Sequence, residues 1–450
     1  MKTRALALAL ILVITVSLVF AVQPANSISK NIIVPNDYST IQEAINAAYE
    51  NDTIFVKSGI YEEQTLTINK TISLIGENAQ TTSIFLHPPS KPLFGSSFMV
   101  YDSPIRISAN HTVLSGFTIR ADGGPISAEG ASIKINGNHL TIPVLVIGNI
   151  TQITDNKVEQ SSVTVRGVNN SISQNTLNEG IIACEGSFNK VQNNRITRTQ
   201  LSNDTGIVLT GAFNLVFNNS VTNDSITLGG DSNNNIIGNN NCSSLLISRS
   251  YNNTVFGNYV TGILGFVGSQ NVFYRNYLQG ILLGNQYMDA PDNTFYENNF
   301  DFANGKEILI YTGVLDSLTF DNGTVGNYWS DYIAQYPTAK GSSSGTGDTP
   351  YVVYLTQPTS LSPFTYSWGD KYNYELTITD RYPLMAPPNI SSIQIELPAW
   401  ADIDSPTAEP TSTPEPEPFP TTIAIASAIA VVAIAGLLVY FKKRQRSKSL

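Results

Sequence analysis

Between Gly148 and Phe300 the chain repeats one phrase: an apolar residue, two others, Asn, one residue, and a second apolar residue. Ile153-Thr-Asp-Asn156-Lys-Val158 is one copy, and further copies surround Asn175, Asn194, Asn219, Asn240, Asn258, Asn276 and Asn298. The steps between these asparagines are 19, 19, 25, 21, 18, 18 and 22 residues. A period near 20 marks a solenoid. Helical repeats need more than about 30 residues for two helices, and the Leu-x-x-Leu-x-Leu frame of leucine-rich repeats is absent. The apolar alternation around each Asn is that of strands, whose side chains point alternately in and out. Val, Ile, Thr, Phe and Tyr fill these segments, and Gly and Asn fill the gaps between them.

The pattern therefore predicts an all-β chain, a right-handed parallel β-helix of about 20 residues per rung. Asn suits a corner because it tolerates the left-handed conformation, and stacked amides can bond from rung to rung. Val158, Leu177, Ile196, Val221, Cys242, Val260 and Leu278 are expected to form one inward column. Cys184 falls in register with Val165 and Leu209, so both cysteines are expected to be core residues, too far apart for a disulfide.

Ahead of the repeats, Ile32–Val34 and Ile54–Val56 read as strands. Between them Ser39 or Thr40 can cap a short helix whose apolar face is Ile41, Ala44, Ile45 and Ala48. Such a helix would cap the open end of the solenoid. Lys70–Gly76 and Asn110–Gly116 match at an offset of 40 residues, read as two rungs. The stretches 87–101 and 121–135 read as excursions from the coil. After Ile308 the Asn phrase stops and aromatic residues take over, which predicts an aromatic-rich C-terminal cap.

The stretch from Ile32 to Asn78 resembles the start of pectin-lyase-like β-helix proteins, which include pectin methylesterases and the NosD-like accessory proteins. The order GNYWSDY (326–332), GDTPYVV (347–353) and DRYPLM (380–385) resembles the C-terminal end of NosD-like and archaeal cell-surface β-helix proteins. The resemblance covers about residues 31–388. The Asp/Gly-rich segment that often precedes GDTPY in that family is here Gly341-Ser-Ser-Ser-Gly-Thr346, so no calcium role is carried over to it.

The ends of the chain differ in kind. Residues 1–26 read as a signal peptide, 31–310 as the β-helix and 311–400 as the C-terminal cap and its flanks. Residues 401–421 are expected to be a disordered Pro/Thr/Glu stalk, 422–441 an uncharged segment long enough to span a bilayer, and 442–450 a basic tail. The positive-inside rule puts that tail in the cytoplasm and the β-helix outside, on the surface of the cell membrane.

Charged residues are 13% of the chain, about half the usual share, with Asn, Ser and Thr in their place. The net charge is −10, and Lys2, Arg4 and five residues of the tail hold seven of the 25 cations but no acid. The middle is thus strongly acidic, which argues against a nucleic-acid partner.

A glycosidase needs two carboxyls about 5–10 Å apart. Glu159 and Glu179 come nearest, but out of register, and the short motifs of the pectin methylesterase, pectate lyase and polygalacturonase sites are not visible. No catalytic residue is expected. Resemblance to the NosD-like group implies copper-centre assembly as an alternative. Yet His87, His111 and His139 lack paired spacing, and no metal site or cofactor is expected. Trp329, Asp331, Tyr332, Asp348, Trp368 and Asp380 concentrate aromatic faces and carboxylates, as a polysaccharide-binding site would; the competing reading is that they are core. The sequons at Asn51, Asn69, Asn110, Asn149, Asn203, Asn252, Asn322 and Asn389 are candidate glycosylation sites. The leading expectation is polysaccharide binding or an envelope role without catalysis. A carbohydrate-active enzyme and a copper-assembly accessory are the alternatives.

Overall fold

The structure is a computed structural model that describes residues 29–92, 99–200, 205–283, 292–301, 308–310, 318–355, 376–390 and 397–401. The chain divides into two units, 1–402 and 403–450, and every described residue falls in the first. The signal-peptide, stalk, membrane-segment and tail expectations lie outside the described residues. Among the described residues no helix is long and apolar enough to cross a membrane.

The first unit is a parallel β-solenoid. A regular turn holds three short strands separated by corners. Gln152–Thr154 lies on sheet A, Lys157–Glu159 on sheet B and Ser162–Arg166 on sheet C. The next turn repeats them as Ser171–Ser173, Thr176–Asn178 and Ile181–Glu185, each pairing in parallel with its counterpart. Thirteen strands stack in sheet A, from Asn31–Val34 to Thr294–Tyr296.

Strand alternation sends one side chain of each B strand inward. Val158, Leu177, Ile196, Val221, Cys242, Val260 and Leu278 lie in direct register in that order. Phe300 and Trp329 extend the column. Val165, Cys184 and Leu209 form another, on sheet C. Both cysteines are free and buried, and burial pushes each thiol up to about 12.

The corners carry the irregular backbone. At the A–B corner the left-handed residue is the one before the ladder asparagine: Asp155, Gln174, Asn193 and Asn218 have φ of 55°, 58°, 57° and 54°. The asparagines themselves are not left-handed, contrary to expectation. Their amides are buried and bond along the axis. Asn194 Oδ1 accepts from the backbone N and the Nδ2 of Asn175, both at 3.0 Å. Asn194 Nδ2 donates to Ile172 O at 2.8 Å and Asn219 Oδ1 at 3.0 Å. The ladder runs unbroken from Asn138 to Asn327, through all eight asparagines named from the sequence.

A second ladder stands at the C–A corner, two residues before each sheet A core residue. It comprises Asn170, Asn189, Asn214, Asn235, Asn253, Asn271 and Asn293. At the same corner Gly167, Gly186 and Gly211 have φ of 141°, 125° and 109°. A Cβ on any of them would strike the carbonyl oxygen of the preceding turn's glycine, so the close stacking of turns requires glycine.

Two organisational expectations are corrected. The 40-residue offset is one turn, because Ser73 pairs directly with Val113. The excess length lies in the 87–104 excursion, where Ser90–Pro92 and Met99–Tyr101 pair with each other as a hairpin. Residues 121–135 are no excursion: Ile126–Glu129 stacks between Ile105–Ile107 and Val144–Ile147. The Asn phrase does not recur after Ile308, as expected, but the ladder goes on, since Asn327 completes another turn. At the other end, helix α1 (Ile41–Ala47) has the expected capping box, Thr40 with Glu43, and buries Ile41, Ala44 and Ile45 in the common core.

Asn194→Ala removes four hydrogen bonds and strands the buried Asn175 N–H. Its unfolding free energy should fall by about 3 kcal/mol, at about 1–3 kcal/mol per unsatisfied group. Asn178→Ala, on an outward position of sheet B, should cost below about 0.5 kcal/mol. Equal denaturation midpoints for the two variants would show that the amide ladder does not hold the turns together.

Candidate functional site

The aromatic residues singled out near the C-terminus are mostly interior. Trp329 is 1% exposed and stacks between Phe300 and Tyr351, with ring centroids 4.4 Å away on each side. Tyr332 is also buried, and its hydroxyl donates to Thr349 O at 2.6 Å. Neither ring offers a face to a sugar. The indole covers Phe300 as the core residue of the Asn327 turn, and Tyr351 covers the indole in its place, so aromatic area finishes the column. Trp368 lies outside the described residues.

The three acids of that set are also structural. Asp331 accepts from Tyr351 Oη at 3.0 Å and from Gln335. Asp348 is exposed and accepts from Lys340 N at 2.8 Å, which holds its carboxyl below the usual range. Asp380 is fully buried and ends the first ladder. Its Oδ2 takes the place of the next asparagine's Oδ1, accepting from Asn327 N at 2.7 Å and, more weakly, from Asn327 Nδ2 at 3.4 Å. Trp329 Nε1 donates to the same oxygen at 2.9 Å, and Tyr382 N donates to Oδ1 at 3.1 Å. Burial pushes the Asp380 carboxyl up to about 6, against the opposing effect of these donors.

The exposed chemistry lies on sheet B. The residue after each ladder asparagine points outward there, in one column of successive turns. The column reads His139, Lys157, Thr176, Arg195, Ser220, Asn241, Tyr259, Tyr277, Asn299 and Tyr328. Nine steps at strand spacing make a strip about 43 Å long.

Its N-terminal part is cationic. Lys157 and Arg195 are exposed, His139 lies in register beside Lys157, and Arg120 is exposed on the preceding strand of the sheet. Glu159 is the acid among them, with Oε1 2.6 Å from Lys157 Nζ. His139 Nε2 is 3.2 Å from Glu159 Oε2, without hydrogen-bond alignment. The bond from Lys157, and then His139, holds the Glu159 carboxyl below its ordinary range. Glu179 does not join it: the register partner of Glu159 is Asn178, while Glu179 sits at φ 52° on the corner and accepts from Thr199 N at 2.7 Å.

The middle of the strip presents hydroxyls and amides, and its far part tyrosines. Tyr259 and Tyr277 stack at 4.3 Å, and Tyr277 Oη donates to Asp301 at 2.6 Å. Burial, then the Asp301 bond, pushes the Tyr277 phenol up to about 12. The sequence reading looked for aromatics in motifs after residue 326. The signal that finds these tyrosines is the place directly after a ladder Asn, which alternation turns outward.

The remaining histidines are apart. His87 Nδ1 is 2.8 Å from Asp122 Oδ2, and His111 occupies a left-handed corner at φ 54°.

The Asp380 carboxyl titrates near 3.8 in an unfolded chain and near 6 in the native one. Between these values the native state holds more protons, so Asp380 should lower stability as pH rises from about 4 to about 6, by roughly 3 kcal/mol. Asp380→Asn keeps an acceptor for Asn327 and cannot titrate. The difference in unfolding free energy between wild type and this variant should change with pH in that window and be constant above it. A pH-independent difference would show that Asp380 titrates normally.

No protein-family model matches the chain, and no curated protein matches it. Solved structures do. It is similar to the PL6 family polysaccharide lyase Pedsa3628 from Pseudopedobacter saltans, at 14% identity over 67% of this chain and 94% of that one, with a TM-score of 0.39. The mannuronan C-5 epimerase AlgE6 A-module of Azotobacter vinelandii shares 12% identity over 62% of this chain and 92% of that one, also at 0.39. The PL6 family alginate lyase AlyGC shares 11% over 65% and 53%, at 0.38.

Proposed function

We propose that this protein binds an anionic polysaccharide along sheet B and does not cleave it. The observation that carries this reading is the cationic start of the outward column. An otherwise acidic chain places His139, Lys157 and Arg195 on one open face, in register. Lys157 and Arg195, two turns or about 10 Å apart with Thr176 between them, followed by hydroxyls, amides and tyrosines, suit a linear polymer carrying carboxylates and ring hydroxyls. Among the described residues every member of the strip is exposed or half-exposed, which suits a chain rather than a small molecule.

A carbohydrate-active enzyme is the second reading, because Glu159, Lys157 and His139 do converge. Their electrostatics favour binding. Glu159 is ionised and tied to Lys157, and the position opposite it in the next turn is an amide, Asn178. A general acid needs a raised pKa, and a glycosidase a second carboxyl within about 10 Å.

The location follows from the sequence alone. The leader, the stalk and the apolar segment 422–441 support export and tethering to the cell membrane, with the solenoid outside, as in the archaeal cell-surface β-helix proteins the chain resembles. An envelope role and glycosylation at exposed sequons fit that location.

The purified solenoid-bearing protein should retain polygalacturonate or alginate, more weakly as salt rises. Lys157→Ala with Arg195→Ala should weaken retention at least about tenfold, near 1.4 kcal/mol, with an unchanged circular dichroism spectrum. Equal retention of a neutral glucan, untouched by the double substitution, would overturn the reading. Release of reducing ends or unsaturated products, lost in Glu159→Gln, would establish the enzyme instead.

A further inference from the structure

Asparagine is followed directly by glycine at 136–137, 304–305 and 322–323. In such a pair the glycine N can close on the asparagine's own amide carbon, since no side chain shields the approach. The pair 304–305 lies outside the described residues. Asn136 ends the sheet A strand Lys134–Asn136, and Gly137 N is committed to Thr154 O of the next turn at 3.1 Å. The pair 322–323 is placed differently. Ile153 stands three residues before its ladder asparagine, but Phe320 stands seven before Asn327. The extra length at this last A–B corner is the turn 321–325, in which Asn322, Gly323 and Thr324 are exposed and Asp321 is buried.

Each atom that a ring closure needs has its partner in that turn. Gly323 N, the nucleophile, donates to Asp321 Oδ1 at 2.9 Å, so a carboxylate stands ready for its proton. Arg381 fixes that carboxylate, with Nη2 2.6 Å from Oδ1 and Nε 3.0 Å from Oδ2. Asn322 Oδ1, where charge gathers as the nitrogen adds, accepts from Thr324 N at 3.0 Å, Thr324 Oγ1 at 2.9 Å and Val325 N at 3.0 Å. Three converging donors are what an oxyanion requires. Asn322 Nδ2, the leaving group, has no hydrogen-bond partner among the described residues. Gly323 has φ 91°, and no atom lies within 4 Å of where its Cβ would stand.

We propose that the turn 321–325 is a self-modifying site that converts Asn322 to aspartate and isoaspartate. Gly323 N gives its proton to Asp321 and bonds to Asn322 Cγ, and the charge on Oδ1 is met by the three donors. The Cγ–Nδ2 bond then breaks, and Nδ2 leaves with that proton as ammonia. One water opens the resulting succinimide at either carbonyl, which yields aspartate or isoaspartate at position 322. Nothing is oxidised, and water is the only co-reactant. Because Nδ2 is also the atom a glycan would occupy, the reaction removes the acceptor of the Asn322-Gly-Thr sequon.

Peptide mass spectrometry on the full chain, incubated at neutral pH, reads the deamidation rate at each asparagine. Position 322 should deamidate at least about tenfold faster than position 136, and at least about threefold faster than in a synthetic peptide of residues 318–328, which has the sequence without the arrangement. Thr324→Val keeps both backbone donors, loses the hydroxyl and should slow position 322 about threefold or more. Asp321→Asn should slow it about tenfold. That variant also loses the Arg381 ion pair, so it is read only where its circular dichroism spectrum matches wild type, and Thr324→Val carries the test otherwise. A folded chain no faster than the peptide, or a Thr324→Val rate equal to wild type, would overturn the proposal.

Discussion

The corner is the constraint on which this solenoid depends. A chain that reverses direction three times per turn presents backbone N–H and C=O groups at each bend, and stacked turns shut water away from them. Such groups must be paired, because each buried orphan costs about 1–3 kcal/mol. Asparagine answers this at two of the three corners. Its amide has both a donor and an acceptor, so one residue type serves the turn before and the turn after. The interior columns of Val, Ile and Leu supply most of the burial, but they are tolerant of shape and do not by themselves fix the turn. The amides do: where they align, Val158 faces Leu177 and Lys157 faces Thr176.

That register is what turns a repeat into a surface. A one-residue slip would carry Lys157, Arg195 and the tyrosines of sheet B inside. With the ladder in place, the residue after each asparagine points outward and lies outside the interior core. The gradient along the strip, from cations through hydroxyls to phenols, is written in these outward positions. The C-terminal end shows the converse. There the motifs that look most like a binding site close the solenoid: Asp380 stands in for the missing asparagine, and Trp329 takes the place of the next core residue.

The first ladder, the inward column and the strand periods were legible in the sequence because they repeat. The second ladder was equally regular but was passed over, since Asn170-Ser-Ile172 and its copies stand among many other asparagines with no outward sign of burial. The excursion at 87–104 blurred the count of turns, because chain length between matched segments does not tell a turn from a loop. Trp329 and Tyr332 were left between two readings for another reason. Indole and phenol groups suit a sugar platform and the last layer of a core alike, and only the position of Phe300 beneath them decides. The cationic patch was invisible because its members come from separate turns.

Hydrogen exchange at single-residue resolution tests the ladder framework most directly. The backbone N–H of Asn156, Asn175, Asn194, Asn219, Asn240 and Asn258 each donate to a side-chain amide of the next turn. They should exchange as slowly as the strand amides of Ile172 and Val191, through opening of the whole unit. Exchange at these corners as fast as at the exposed Asn322-Gly323-Thr324 turn would contradict the account, and would leave the apolar columns as the sole source of register.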